Sequence, residues 1–318
     1  MANQLKKDPT RTITLRKTLM REMKRRFNGL SKSIKELIVD KDVFGLVEAK
    51  PLKILVSSQE WRFLSDARKV EEYQKWLQAE IDAGILETTT YPPWISSYTG
   101  KAYNKGFKRA YTTVNRPKPG QSADSLQSGL SGFVQGSFGA GELSSKLELL
   151  YSRAFTNLNG ITSAMGTQLS RILTDGLIRG ARPISIANEM VRTVGNITRT
   201  RAYTLARTEI IYAHAEGQLD SFMAMGINEV SAKAEWSTAG DALVCPQCEP
   251  MEGVVLTIKE ARGAIPLHPN CRCMWIPADV GESKTGQLWG RKGVRAIKKS
   301  VKAQGGLSKS TWPLKRKA

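Results

Sequence analysis

The chain is 318 residues long, 41% of them apolar, with a net charge of +19 at neutral pH. That apolar share excludes wholesale disorder, and the length suffices for two modest domains with cores of their own. So large a basic excess points to a polyanionic partner, double-stranded DNA first, bound without sequence preference and more weakly as salt rises. The alternative is a solvated basic surface kept for solubility. The first thirty residues carry charges but no continuous apolar region, so no secretory signal is expected. No run approaches the ~20 apolar residues of a membrane span, so no membrane partner is expected, and cysteines clustered at metal-like spacing suit synthesis in a reducing cytoplasm.

Residues 1–50 read as a basic helical arm, because Leu15, Leu19, Met23 and Phe27 recur every four residues between arginines and lysines. That helix could lie on the rest of the protein, on nucleic acid or on an anionic membrane. Residues 51–114 read as an N-terminal helical domain. Ser57 and Glu60 have capping-box spacing, and Trp61, Leu64, Val70, Tyr73, Leu77 and Ile81 fall on one side of the helix that follows. After a Tyr91-Pro92-Pro93 break, a further helix carries Tyr98, Ala102, Tyr103, Phe107 and Tyr111. Its aromatic stripe beside Lys101, Lys105, Lys108 and Arg109 could stack bases, but the plainer reading is a packing face with a basic edge.

Residues 115–141 are dominated by proline, glycine and serine, which predicts a linker or exposed loop and places a domain boundary there. The stretch 142–277 opens with helical periodicity over Leu143, Leu147, Leu150, Ala154 and Leu158, continuing through Leu173. Pro183 allows a new helix, and a long helix is predicted from about Ile197 to Met225 with Ala202, Leu205, Ala206, Ile210, Ala213 and Phe222 inward. Arg207 and Glu209, two apart, do not face each other and would pair with other segments. Beyond Gly226 the texture turns to β, and EVSAKAEWST and GVVLTI predict a small hairpin. Residues 278–318 read as a basic, mobile tail in which Trp289 and Trp312 are isolated.

All four cysteines of the chain and one of its two histidines lie between Cys245 and Cys273. The segment reads CPQC, nineteen residues, then HPNCRC. A C-x2-C turn and an H-x2-C turn each aim two donors at one point, the pattern of a structural zinc site with Zn–S near about 2.3 Å and Zn–N near about 2.0 Å. Five candidates compete for four positions: Cys245, Cys248, His268, Cys271 and Cys273. Cys245, Cys248, His268 and Cys271 are favoured by spacing, with Cys273 spare or exchanging with Cys271. Crossed disulfides, a C-x-x-C redox pair, or four reduced thiols without a ligand are the alternatives. Four protein donors would close the site to water, so no catalytic residue is assigned. The fold class expected is mainly α with a small β-hairpin zinc-binding-like module (α+β), its two helical regions joined by the linker.

The succession ARTEIIYAHAEGQ, AEWSTAGDALVCPQCEPMEGVVL and IPLHPNCRC resembles the phage head morphogenesis proteins, the Mu F-like minor head proteins. The residues that carry the resemblance are Arg207, Thr208, Glu209, Trp236, Asp241, Cys245, Pro246, Cys248, Gly253, Pro266, Leu267, His268, Pro269, Cys271, Arg272 and Cys273, within roughly residues 142–277. More loosely, ISSYTGKAYNKGFKRAY resembles a helix that often precedes this domain. The resemblance implies a virion component without turnover, at the portal vertex or in the capsid interior. Its implied partners are the portal protein and possible major capsid or scaffolding proteins, and its implied tasks are head assembly, DNA packaging or DNA ejection. Two alternatives remain open. One is a zinc-stabilised HNH-like nuclease, for which His214 would have to be the base; the other is a DNA-binding protein of another kind.

Overall fold

A computed structural model describes residues 8–44, 67–116, 123–139, 142–226 and 233–278. The capping box at Ser57, Trp61, Leu64, Trp289, Trp312 and the tail beyond Ala278 lie outside the described residues. The described chain is mainly helical with one small antiparallel sheet. It divides into two units that do not follow chain order. One holds the residues up to Lys17, Ile95–Ala154 and those from Thr204 onward; the other holds Thr18–Trp94 and Phe155–Tyr203.

The second unit is helical. Helix α1 (Ile13–Lys35), followed by a π-turn at Glu36–Asp40, sets Leu19, Met23, Phe27, Ile34 and Ile38 on a fully buried stripe. Of the three destinations open to its apolar face, the protein interior is the one it takes. Arg26 leaves the stripe but stays ordered, with its guanidinium 4.3 Å from the Trp94 ring centre and paired with Glu22 and Glu87. Helix α2 (Ala67–Glu80) buries Tyr73 and Leu77 and runs into a π-turn at Ile81–Leu86.

The expected linker is a helix. Residues Ala123–Gly139 form α4, which packs Phe133 against Phe107 (ring centres 5.2 Å apart) and against Tyr111 (4.7 Å). Composition concealed this, because Leu126, Leu130 and Phe133 sit at i, i+4 and i+7 among glycines and serines. That minimal stripe is sufficient once an aromatic partner covers it. The partner is α3 (Ser96–Val114), whose Tyr103 and Phe107 are fully buried, so the aromatic stripe is a packing face.

Helix α5 (Glu142–Ile178) follows the predicted periodicity, with Leu143, Leu150, Ala154, Leu158, Met165, Leu169 and Leu173 buried. Pro183 stands at the start of α6 (Pro183–Ile197), where its missing N–H costs nothing. The predicted long helix comes as a π-turn at Thr198–Ala202 and then α7 (Tyr203–Ala224). All six residues expected inward are buried. Helices α3 and α7 cross at two glycines. A methyl group on Gly106 would overlap the His214 carbonyl, and one on Gly217 would overlap the Tyr103 carbonyl.

The hairpin is present and gains a third strand. Strand β1 (Lys233–Ser237) pairs antiparallel with β2 (Val255–Thr257) on one side and with β3 (Met274–Pro277) on the other. Trp236 and Trp275 lie opposite each other and meet edge to face, ring centres 5.2 Å apart. The free edge of β3 is closed by a side chain. Gln218 of α7 donates to the Trp275 carbonyl at 2.7 Å and accepts from the Trp275 N–H at 3.1 Å. One amide thus fastens the sheet to the helix.

Candidate metal centre

Both donor turns have the local geometry their spacing predicts. The N–H of Cys248 donates to the Cys245 carbonyl at 3.0 Å and lies 3.4 Å from the Cys245 sulfur. The N–H of Cys271 donates to the His268 carbonyl at 3.2 Å, helped by Asn270 in the left-handed region at φ 62°. The loops are supported from outside. Arg272 grips Asp241 through two bonds of 2.7 and 2.5 Å, and Thr257 and Glu260 form a capping box on the single-turn helix α8 (Ile258–Ala261).

These turns bring all five predicted donors into one cluster. Nε2 of His268 lies 2.9 Å from the Cys245 sulfur and 3.1 Å from that of Cys248. The Cys248 and Cys271 sulfurs are 3.8 Å apart, about the edge of a tetrahedron with 2.3 Å zinc–sulfur bonds. Two overlapping triplets result, Cys245–Cys248–His268 and Cys248–Cys271–Cys273, with Cys248 common to both. No disulfide links the four cysteines, and three of the four are buried among the core residues of the sheet. Nδ1 of His268 is 2.7 Å from the Pro269 carbonyl, which holds the proton on Nδ1 and points the Nε2 lone pair at the sulfurs.

The electrostatics suit a cation. The hydrogen bond with Cys248, then that with His268, holds the Cys245 thiol down to about 4 against the effect of burial. Cys271 is likewise held well below the usual thiol range by its contacts with Cys248 and Cys273. Cys248, between them, is pushed up because it donates to neighbouring sulfurs. Burial opposes charge on His268, but the Cys245 hydrogen bond and the nearby thiolates outweigh it and push its pKa up to about 9. Thiolates beside an imidazole that can give up its charge form a donor set able to hold a metal ion.

The other histidine is sealed. His214 is fully buried on α7, and burial, with Arg109, Lys105 and Arg16 adding positive charge, holds its pKa down to about 3. Being depressed below the unfolded value, it favours folding at neutral pH and loses that contribution as acid protonates the unfolded chain. Acidification from about pH 7 to about pH 4.5 is expected to cost the wild type roughly 2 kcal/mol more than a His214→Leu variant, read from urea midpoints at each pH. Equal pH slopes in the two proteins would refute this.

Sequence reasoning missed a charged network beside the module. Asp220, whose side chain is 1% exposed, accepts from the Tyr103 hydroxyl at 2.7 Å and from Lys146 at 2.8 Å, and pairs with Arg262. Arg262 also holds Glu216 at 2.9 Å. The detectable signal was Glu216 and Asp220 four apart on one helix face; their partners are remote in sequence. Glu209, expected to pair with another segment, does so with Arg153 at 3.1 Å.

A cysteine-rich knot with buried donors, held in a small sheet against a helix, could hold a metal ion that ties its loops together. Residues 167–276 match the family described as Phage Mu protein F like protein, which contains the whole knot, and the resemblance read from the sequence holds over that segment. No curated protein and no solved structure matches the chain. Among the described residues, no helix is long and apolar enough to cross a membrane.

Proposed function

We propose that this is a non-enzymatic minor head protein, whose metal-pinned module docks at the portal vertex or capsid interior while basic segments touch DNA. The observation that carries this reading is that the matched family segment encloses the five-donor knot and its supporting helix. Zinc is the ion proposed, because sulfur and imidazole donors suit it and five candidate protein donors leave no position that water must fill. Cys245, Cys248, His268 and Cys271 are the proposed ligands, since the shortest contacts run through these four; Cys273 stands in reserve. The zinc would supply cross-linking, while His268 is oriented by the Pro269 carbonyl and Arg272 braces its loop on Asp241.

Docking on the portal would serve head assembly, DNA packaging or DNA ejection. Purified protein mixed with purified portal protein is expected to co-sediment at a fixed ratio, with added plasmid DNA left intact in the presence of magnesium. Absence of both portal and capsid association would overturn the docking role, and cleavage of the plasmid would overturn the non-enzymatic one.

A further inference from the structure

We propose that the open cleft between α5, α7 and α8 is the face on which the portal protein docks, taking from it an acidic segment that carries an apolar side chain. The proposal rests on the portal docking inferred above and assigns that docking to one place in the first unit.

The cleft has a volume of about 580 Å³ and is built wholly from residues of the first unit. Its floor is apolar, with Leu149 and Leu150 from α5, Met223 from α7 and Ile258 from α8. Leu149 stands apart from the others. It is 72% exposed, while Leu143, Leu150 and Leu158 of the same helix are buried. A helix with its inward stripe complete gains nothing within the monomer from a further leucine at the mouth of a cleft.

The charges around this floor are layered. Inside, the side chain of Asp220 is 1% exposed and that of Glu216 12%. Both are engaged, Asp220 by Tyr103, Lys146 and Arg262, and Glu216 by Arg262 and the Gly263 N–H at 2.8 Å. Outside, the side chain of Lys146 is 37% exposed and that of Arg262 28%, so the cations reach solvent where the carboxylates do not. Lys259 on α8 adds an exposed cation to the same lining. The cleft therefore presents positive charge outward around an apolar floor.

That combination selects the occupant. Nucleic acid would satisfy the rim but leave the apolar side chains unmatched, and a wholly apolar segment would leave the cations unpaired. An acidic segment with an apolar anchor meets both needs, its anchor among Leu149, Met223 and Ile258 and its carboxylates facing Lys146 and Lys259. A second copy of this chain, with net charge +19, and the chain's own basic tail carry the same sign as the rim, which disfavours both.

The test is co-sedimentation of the full chain with purified portal protein at several salt concentrations, for the wild type and for Leu149→Ser and Lys259→Glu made singly. Both side chains are exposed, so each variant is expected to keep the urea midpoint of the wild type; should one midpoint fall, the other variant carries the test. Leu149→Ser should bind portal at least about tenfold more weakly at every salt concentration, as loss of an apolar anchor does. Lys259→Glu should bind at least about tenfold more weakly at low salt and approach the wild type as salt rises, because screening removes the contribution of the rim. Portal binding equal to the wild type in both variants would overturn the cleft as the docking face and leave portal docking at another surface standing. No binding by the wild type would overturn the docking reading itself, and this occupant with it. Two further measurements identify a different occupant. A wild-type dimer in sedimentation velocity that both variants lose, with portal binding unchanged, would assign the cleft to a second copy. Weaker binding of a duplex of about 20 base pairs by Lys259→Glu, with portal binding unchanged, would assign it to DNA. Either result overturns the proposal.

Discussion

Replacing Cys248 with serine is expected to release zinc and unfold the segment from Lys233 to Ala278, leaving the helices upstream of it formed. Cys248 is the one residue shared by both donor triplets, so no rearrangement of the remaining four donors restores its position. The effect should be large because metal binding and folding are one process in such modules, worth on the order of 10 kcal/mol for structural zinc. The sheet has little to fall back on. Its strands are five, three and four residues long, and Cys248, Cys271 and Cys273 are themselves part of the core that Trp236 and Trp275 fill. Elemental analysis should show zinc at one per chain in the wild type and near zero in the variant. Tryptophan fluorescence should report loss of the buried pair, with far-ultraviolet circular dichroism largely retained. Cys273→Ser is expected to keep its zinc if that thiol is the reserve. Unchanged zinc content in Cys248→Ser would refute the assignment.

Gly106→Ala and Gly217→Ala are each expected to destabilise the first unit by about 3 kcal/mol or more, toward the upper end for overpacking. The added methyl meets a backbone carbonyl in both cases, and a carbonyl inside a helix cannot swing aside as a side chain can. The helices would have to separate, loosening Phe107 and Tyr103 from their partners and disturbing the bond between Tyr103 and Asp220. Because both glycines serve one crossing, the double variant should cost less than the sum. Gly136→Ala on α4 is the control. Nothing lies within 4 Å of the added carbon, and the substitution should be neutral or stabilising by up to about 1 kcal/mol. Urea midpoints measured together would decide the matter, and a Gly106→Ala midpoint equal to that of the control would refute the close crossing.

What was legible in the chain was local. Helix α5 could be read from leucines three and four apart, α6 from Pro183, and the two donor turns from two-residue spacings, because each depends on bonds closed within a few residues. Helix α4 was misread for the complementary reason. Its glycines and serines score as linker, and only the rings of Phe107 and Tyr111 supply the apolar surface that makes its short stripe worth burying.

The identity of the five donors was contained in the chain, but their order of contact was not. That Cys248 stands between the two triplets follows from how β1 and β3 bring the far loop back, and β3 itself became a strand only by pairing with β1. Pairings such as Gln218 with Trp275 and Tyr103 with Asp220 join residues far apart in the chain. No periodicity encodes them, since closing such distances is driven by burial of the whole core rather than by any residue's own preference. The sequence by itself therefore determined the strongly periodic helices and the donor set of the knot, while the tertiary structure alone decided that α4 is a helix and which charges and which edges meet.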